Sequence, residues 1–109
     1  MIPETLAKIE KKLRDAAIQS ENKTELLKLF SELKTEITAL AKTKQEQSES
    51  IAGFTHLSTH EATRKKKDPQ LLKLSLEGLS SSVKEFEASH PKLVEIVNRI
   101  SMILSNMGI

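Results

Sequence analysis

Residues 26–40, Leu26-Leu27-Lys28-Leu29-Phe30-Ser31-Glu32-Leu33-Lys34-Thr35-Glu36-Ile37-Thr38-Ala39-Leu40, decide the fold class. Leu26, Phe30, Leu33, Ile37 and Leu40 recur at steps of 4, 3, 4 and 3. On a helix with 3.6 residues per turn those steps draw one continuous apolar seam, while on a strand they would scatter over both faces. No window of six residues keeps a clean period of two. The composition agrees: the chain is 38% hydrophobic, with three Phe and neither Tyr nor Trp to build a pleated core. The sequence predicts an all-α protein with no sheet.

Working upstream, Asn22 is placed to cap this helix, with Glu25 three residues on to answer as in a capping box. That puts the helix at about 23–43, with a possible extension to about 62 where Ile51 and Phe54 resume the seam after the polar Lys44 and Gln47. An earlier helix is expected over about 3–20. Pro3 suits its first turn, and Ile2, Leu6, Ile9, Leu13 and Ala17 form its stripe.

Downstream, residues 43–67 are rich in Gln, Glu, Ser, Thr, His and Lys, and their composition reads as a partly helical or flexible polar insertion. Asp68-Pro69 then supplies a cap and a proline start for a third helix at about 69–88, whose seam is Leu72, Leu76, Leu79, Val83 and Phe86. Ser89-His90-Pro91 interrupts it, because proline disfavours the helical conformation of the residue before it.

Pro91 opens a last helix at about 91–107, where ten of the seventeen residues from Leu93 onward are apolar. Its packing stripe is Leu93, Ile96, Val97, Ile100, Ile103, Leu104 and Met107. Leaving that stripe in water would forfeit on the order of 10 kcal/mol, so it belongs in a core or against another copy. Gly108 and Ile109 read as a Schellman-type stop.

The 109 residues are expected to form one helical domain, an antiparallel bundle or hairpin. The seam of the second helix is longer than a helix of sixteen residues covers, and a second chain would complete it, so a homodimer is expected. Its interface would use the last helix and the Leu72 to Phe86 seam. The chain has no cysteine, which removes disulfides, thiolate nucleophiles and cysteine zinc sites. No apolar run nears the roughly 18 residues of a membrane span, and the amino terminus lacks a signal-peptide core, so a cytoplasmic location is expected.

Four patterns carry candidate chemistry. His56 and His60, spaced i, i+4, would share a helix face, but a catalytic zinc needs three protein ligands, and a solvated face is the better reading. Arg64-Lys65-Lys66-Lys67 could touch phosphates, together with Lys8, Lys11 and Lys12. With no aromatic interleaved to stack a base, and a net charge of only +2, nucleic-acid association stands as the alternative to self-association. Asn22-Lys23-Thr24 is a formal glycosylation sequon that its capping role explains. Ser75, Gly78 and Ser82 mark a close helix approach. The carboxylates are scattered, serine has no nucleophile elbow, and the three glycines are too far apart to cradle a nucleotide. No enzyme and no cofactor is expected.

The last quarter of the chain carries a family likeness. Phe86-Glu87-Ala88-Ser89-His90-Pro91-Lys92-Leu93, followed by an apolar helix and Leu104-Ser105-Asn106-Met107-Gly108-Ile109, resembles a family of short bacterial proteins of unknown function that end in F-E-x-x-H-P-x-L and L-x-N-M-G-I. The segment from Thr43 to Lys67 is longer than is usual in that family. The resemblance implies a bacterial cytoplasmic protein in which Phe86, His90, Pro91 and the Met107-Gly108-Ile109 end are structural fixtures of a corner between two helices. It implies no reaction.

Overall fold

A computed structural model describes residues 2–107. Five α-helices follow in order: α1 (Ile2–Asp15), α2 (Ser20–Leu40), α3 (Gln45–Thr63), α4 (Pro69–Val83) and α5 (Pro91–Met107), with a 3-10 turn at Lys84–Phe86 between the last two. There is no strand among the described residues. The Cα radius of gyration is 12.8 Å, against about 13 Å for a compact chain of this length. The helices therefore fold back into a bundle, and an extended hairpin is excluded.

The apolar stripes read from the sequence meet in one core. Ile2, Leu6, Ile9 and Leu13 of α1 are buried against Leu26, Phe30, Leu33, Ile37 and Leu40 of α2 and the stripes of α4 and α5. Ala17, expected to prolong the first stripe, is exposed. Helix α1 ends at Asp15 instead of near Ser20, because the chain turns through Ala16–Gln19, where the Ile18 N–H donates to the Ala16 carbonyl. The Lys23 ammonium closes that end by donating to the Arg14 carbonyl at 3.0 Å. The cap expected at Asn22 is corrected as well: α2 begins at Ser20, so Asn22 lies inside its first turn, and Gln19 holds the cap position without a side-chain bond.

Helix α2 stops at Leu40 and does not extend to about 62. The chain reverses through Ala41–Lys44, with the Lys44 N–H bonded to the Leu40 carbonyl at 2.8 Å, and starts α3 in a new direction. The segment expected as a partly helical or flexible insertion is therefore helical over nineteen residues. It is also central: α3 is the one helix that packs against all four others. Its inner face is built from Ser48, Ile51, Ala52, Thr55, Ser58, Thr59 and Ala62, all buried.

Small side chains bring the neighbouring helices close. The hydroxyls of Thr55, Thr59 and Thr63 turn back onto the carbonyls of Ile51, Thr55 and Thr59 at 2.7, 2.8 and 2.7 Å. Their methyl groups are then free to pack, which lets a threonine-rich helix occupy a core.

Asp68 caps α4 as its sequence requires, its Oδ1 accepting from the N–H groups of Gln70 and Leu71 with Pro69 at the first position. Helix α4 ends at Val83, five residues short of the expected Ala88. The 3-10 turn tightens the chain so that Phe86 reaches the core at 3% exposure. His90 stands edge-on to the Phe86 ring, with centroids 5.5 Å apart and planes at 90°, and its N–H donates to the Phe86 carbonyl at 2.8 Å. The helix corner implied by Phe86, His90 and Pro91 is thus a hydrogen-bonded turn with a perpendicular ring pair. The stop expected at Gly108 and Ile109 lies outside the described residues.

The partner chain invoked for the length of the α2 seam has its place filled from within: α1, α3 and α5 all pack on α2. Of the residues expected at an interface, Leu72, Leu79, Val83, Phe86, Leu93, Ile96, Val97, Ile100 and Leu104 are buried inside the chain, and Leu76, Ile103 and Met107 are partly buried against the same core.

Candidate functional site

Two surfaces stand out once the core is accounted for. The first is a basic cleft between α1 and the C-terminal end of α3. One helical turn separates Lys8 from Lys11 and Lys12, so all three project from one side of α1. They line a cavity of about 480 Å³ with His56, Thr63, Arg64 and Lys65, and Asp15 is the one carboxylate in its wall. A second cavity of about 640 Å³ shares Asp15, Ala16, Thr63, Arg64 and Lys65 with the first and continues past Ile18, Asn22 and Asn106.

The structure thus joins two basic groups that lie more than fifty residues apart in sequence. It also divides the basic run of residues 64–67. Arg64 donates from Nη1 to Glu61 Oε1 at 2.9 Å, holding a carboxylate whose side chain is only 6% exposed. Lys67 donates to the Ala62 carbonyl at 2.6 Å and closes the end of α3. Lys66 lines neither cavity. Lys11, Lys12 and Lys65 form no hydrogen bond or ion pair with any described residue.

His56 is half-buried in this cleft. Burial, followed by the positive charges of Lys12, Lys8 and His60, holds its imidazole below the ordinary value, so it is neutral near pH 7. His60 is on the same helix with Nε2 3.9 Å from Glu61 Oε2. Among the described residues no group of three His, Cys, Asp or Glu is placed to hold a metal ion. The ammonium groups near His56 would also repel a cation.

The second surface is an apolar strip on the outside of the α3–α4 hairpin. Phe54 and Leu57 of α3 and Leu71 and Leu74 of α4 are 36%, 43%, 43% and 52% exposed. The spacing 71, 74, 78 puts Leu71 and Leu74 in line with Gly78, over which the Phe54 ring is seated. The strip is hidden in the sequence because Leu71 and Leu74 flank the Leu72–Leu76–Leu79 stripe and count as ordinary members of a leucine-rich helix. The signal was present in the number of leucines: α4 carries more than one face can bury. Ser75 and Ser82, expected beside Gly78 at a close approach, donate their hydroxyls to the carbonyls of Leu72 and Leu79 and leave that face of α4 smooth.

Across the described residues, no helix is long and apolar enough to cross a membrane. The fold and its surfaces define a small five-helix bundle with a basic cleft and an exposed apolar strip. The chain belongs to the family described as Domain of unknown function (DUF4404), whose model matches residues 23–109, from the first turn of α2 to the end. Helix α1, which supplies half of the basic cleft, precedes the matched region. No curated protein and no solved structure matches the chain.

Proposed function

We propose that this protein is a non-enzymatic interaction module that self-associates, with the α3–α4 apolar strip as its contact face. The observation that carries the reading is the grouping of Phe54, Leu57, Leu71 and Leu74 on one outer surface, while the seams of the other helices are spent in the core.

A second copy is the occupant that fits. Phe54, Leu57, Leu71, Leu74 and Gly78 present no charged side chain. A charged partner finds nothing to pair with there, whereas two identical strips meet about a twofold axis without opposing like charges. The exposed apolar area is on the order of 300 Å², comparable to the largest patch on a typical monomer. Doubling it in a dimer reaches about half of the 1,200 Å² at the low end of stable interfaces, so the association is weak and concentration-dependent.

Sedimentation equilibrium over a range from about 10 µM to about 1 mM, spanning the weak affinities such an area supports, tests this. The expected result is a monomer–dimer equilibrium that Leu74→Glu and Leu57→Glu each abolish while the helical circular dichroism stays unchanged. A monomer at every concentration overturns the reading. So does a dimer that survives both substitutions.

A further inference from the structure

We propose that the cleft between α1 and the C-terminal end of α3 binds a small phosphorylated molecule, its phosphate held by Lys11, Lys12 and Lys65 and its neutral body lying toward Ile18, Asn22 and Asn106. This site is independent of the apolar strip and of the self-association it supports.

Charge selects the ligand class. Three ammonium groups with no carboxylate partner among the described residues come from two helix ends to one open cleft. Holding like charges together costs free energy that a multiply charged anion returns on binding. The Thr63 hydroxyl is already donated to the Thr59 carbonyl, so the lysines carry the phosphate and Thr63 shapes the wall. Asp15, the one carboxylate in the wall, is outnumbered by Lys8, Lys11, Lys12 and Lys65, and Glu61 behind the wall is held by Arg64.

Shape narrows the class further. Cavities of about 480 and 640 Å³ that share a wall fall within the roughly 300 to 1,000 Å³ typical of small-molecule sites. The first is basic. The second shares Asp15, Arg64 and Lys65 with the first and adds Lys67, whose ammonium is held by the Ala62 carbonyl; the rest of its wall is Ala17, Ile18, Ala62 and Met107, with Gln19, Asn22 and Asn106 offering hydrogen bonds to an uncharged group. A cationic cleft that continues past its shared charged wall onto apolar and amide side chains matches a phosphate ester better than a bare anion. A nucleic-acid strand is the poorer fit, since the remaining cations are dispersed among acidic residues and no Phe, Tyr or Trp borders the cleft to stack successive bases.

Titration of the full-length protein with adenosine triphosphate, inorganic triphosphate and a twelve-nucleotide single strand, followed by amide and imidazole NMR shifts at about 150 mM salt, separates the sources. The expected result is saturable binding of the nucleotide, at least tenfold tighter than inorganic triphosphate. Shifts at His56, Thr63 and Lys65 should be joined by shifts at Asn22 and Asn106. The triple variant Lys11→Gln, Lys12→Gln, Lys65→Gln should lose at least tenfold in affinity, whereas Lys28→Gln, Lys84→Gln, Lys92→Gln, with the same change in net charge, should lose less than twofold.

Equal losses in the two triple variants would reduce the effect to net charge and overturn the proposal. It is also overturned if neither phosphate compound saturates, if inorganic triphosphate binds as well as the nucleotide, or if the single strand binds tighter per site than either.

Discussion

The ring of Phe54 is seated on the bare backbone of Gly78 and fills the space that a side chain there would take. A Cβ at Gly78 would fall 2.6 Å from Cδ1 and 2.9 Å from Cζ of the ring, well inside van der Waals contact. Glycine inside a helix costs roughly 1 kcal/mol against alanine, so its presence here is explained by the ring that lies over it.

Gly78→Ala displaces the ring, which at 36% exposure can swing outward, so the change should yield less than the roughly 1 kcal/mol of stabilisation that helix propensity promises. In the Phe54→Ala background the same change should stabilise by about 1 kcal/mol, since only propensity is left. A double-mutant cycle by chemical denaturation measures the coupling. Additivity of the two substitutions would show that the ring does not depend on the glycine.

Helix α3 is packed through small residues, and two of them carry unused hydroxyls. Ser48 and Ser58 have buried Oγ atoms with no hydrogen-bond partner among the described residues. Replacing each with alanine removes an unsatisfied polar group and improves helix propensity, so Ser48→Ala and Ser58→Ala should be neutral or stabilise by about 1 kcal/mol. Ala52, 1% exposed on the same helix, has no room to grow. Ala52→Leu should cost about 1 to 3 kcal/mol through overpacking. Thermal unfolding of the three variants checks the contrast.

Arg64 and Glu61 form an ion pair in which the carboxylate is nearly sealed from water. Removing the guanidinium leaves a buried charge with His60 as its one other ion-pair partner among the described residues, so Arg64→Ala should destabilise by about 1 to 3 kcal/mol. Adding Glu61→Gln should recover part of the loss, because the group left behind is then neutral. Chemical denaturation of the single and double variants provides the comparison. No recovery would mean that Arg64 acts through packing of its stem.

His56 should titrate below the ordinary histidine value near 6.5. Burial is the largest cause, followed by Lys12, Lys8 and His60, with Asp15, Arg64 and Lys65 also lining the same cleft. The folded protein then binds fewer protons than the unfolded chain between the two values. Stability therefore rises with pH across that window, is complete above the unfolded value, and is lost as pH falls toward the folded one. An NMR titration of the imidazole, repeated in Lys8→Gln, Lys12→Gln, should show the midpoint moving back up.

The all-α class, the core seams, the Asp68-Pro69 start and the break before Pro91 were legible because each is a local matter. Period, capping chemistry and proline sterics act within one or two turns. Helix ends were less legible. The first and third helices stop about five residues early, at Asp15 and Val83, where the chain must turn to bring α2 and Phe86 onto the core. The basic groups of the cleft were visible as separate runs. Their meeting was not, since nothing in residues 8–12 or 64–65 records that α1 and α3 are neighbours.

Residues 43–67 mark the boundary between the two kinds of information. By itself the sequence determined that this protein is helical and where its large apolar side chains point, because those depend on periodicity and on the cost of leaving leucine and isoleucine in water. Only the tertiary structure decided that α3 is central. Serine, threonine and alanine are weakly hydrophobic in any sequence reading, and their value as core residues comes from letting helices approach closely, with the threonine hydroxyls satisfied by carbonyls one turn back. That value exists only once the partner helices are in place.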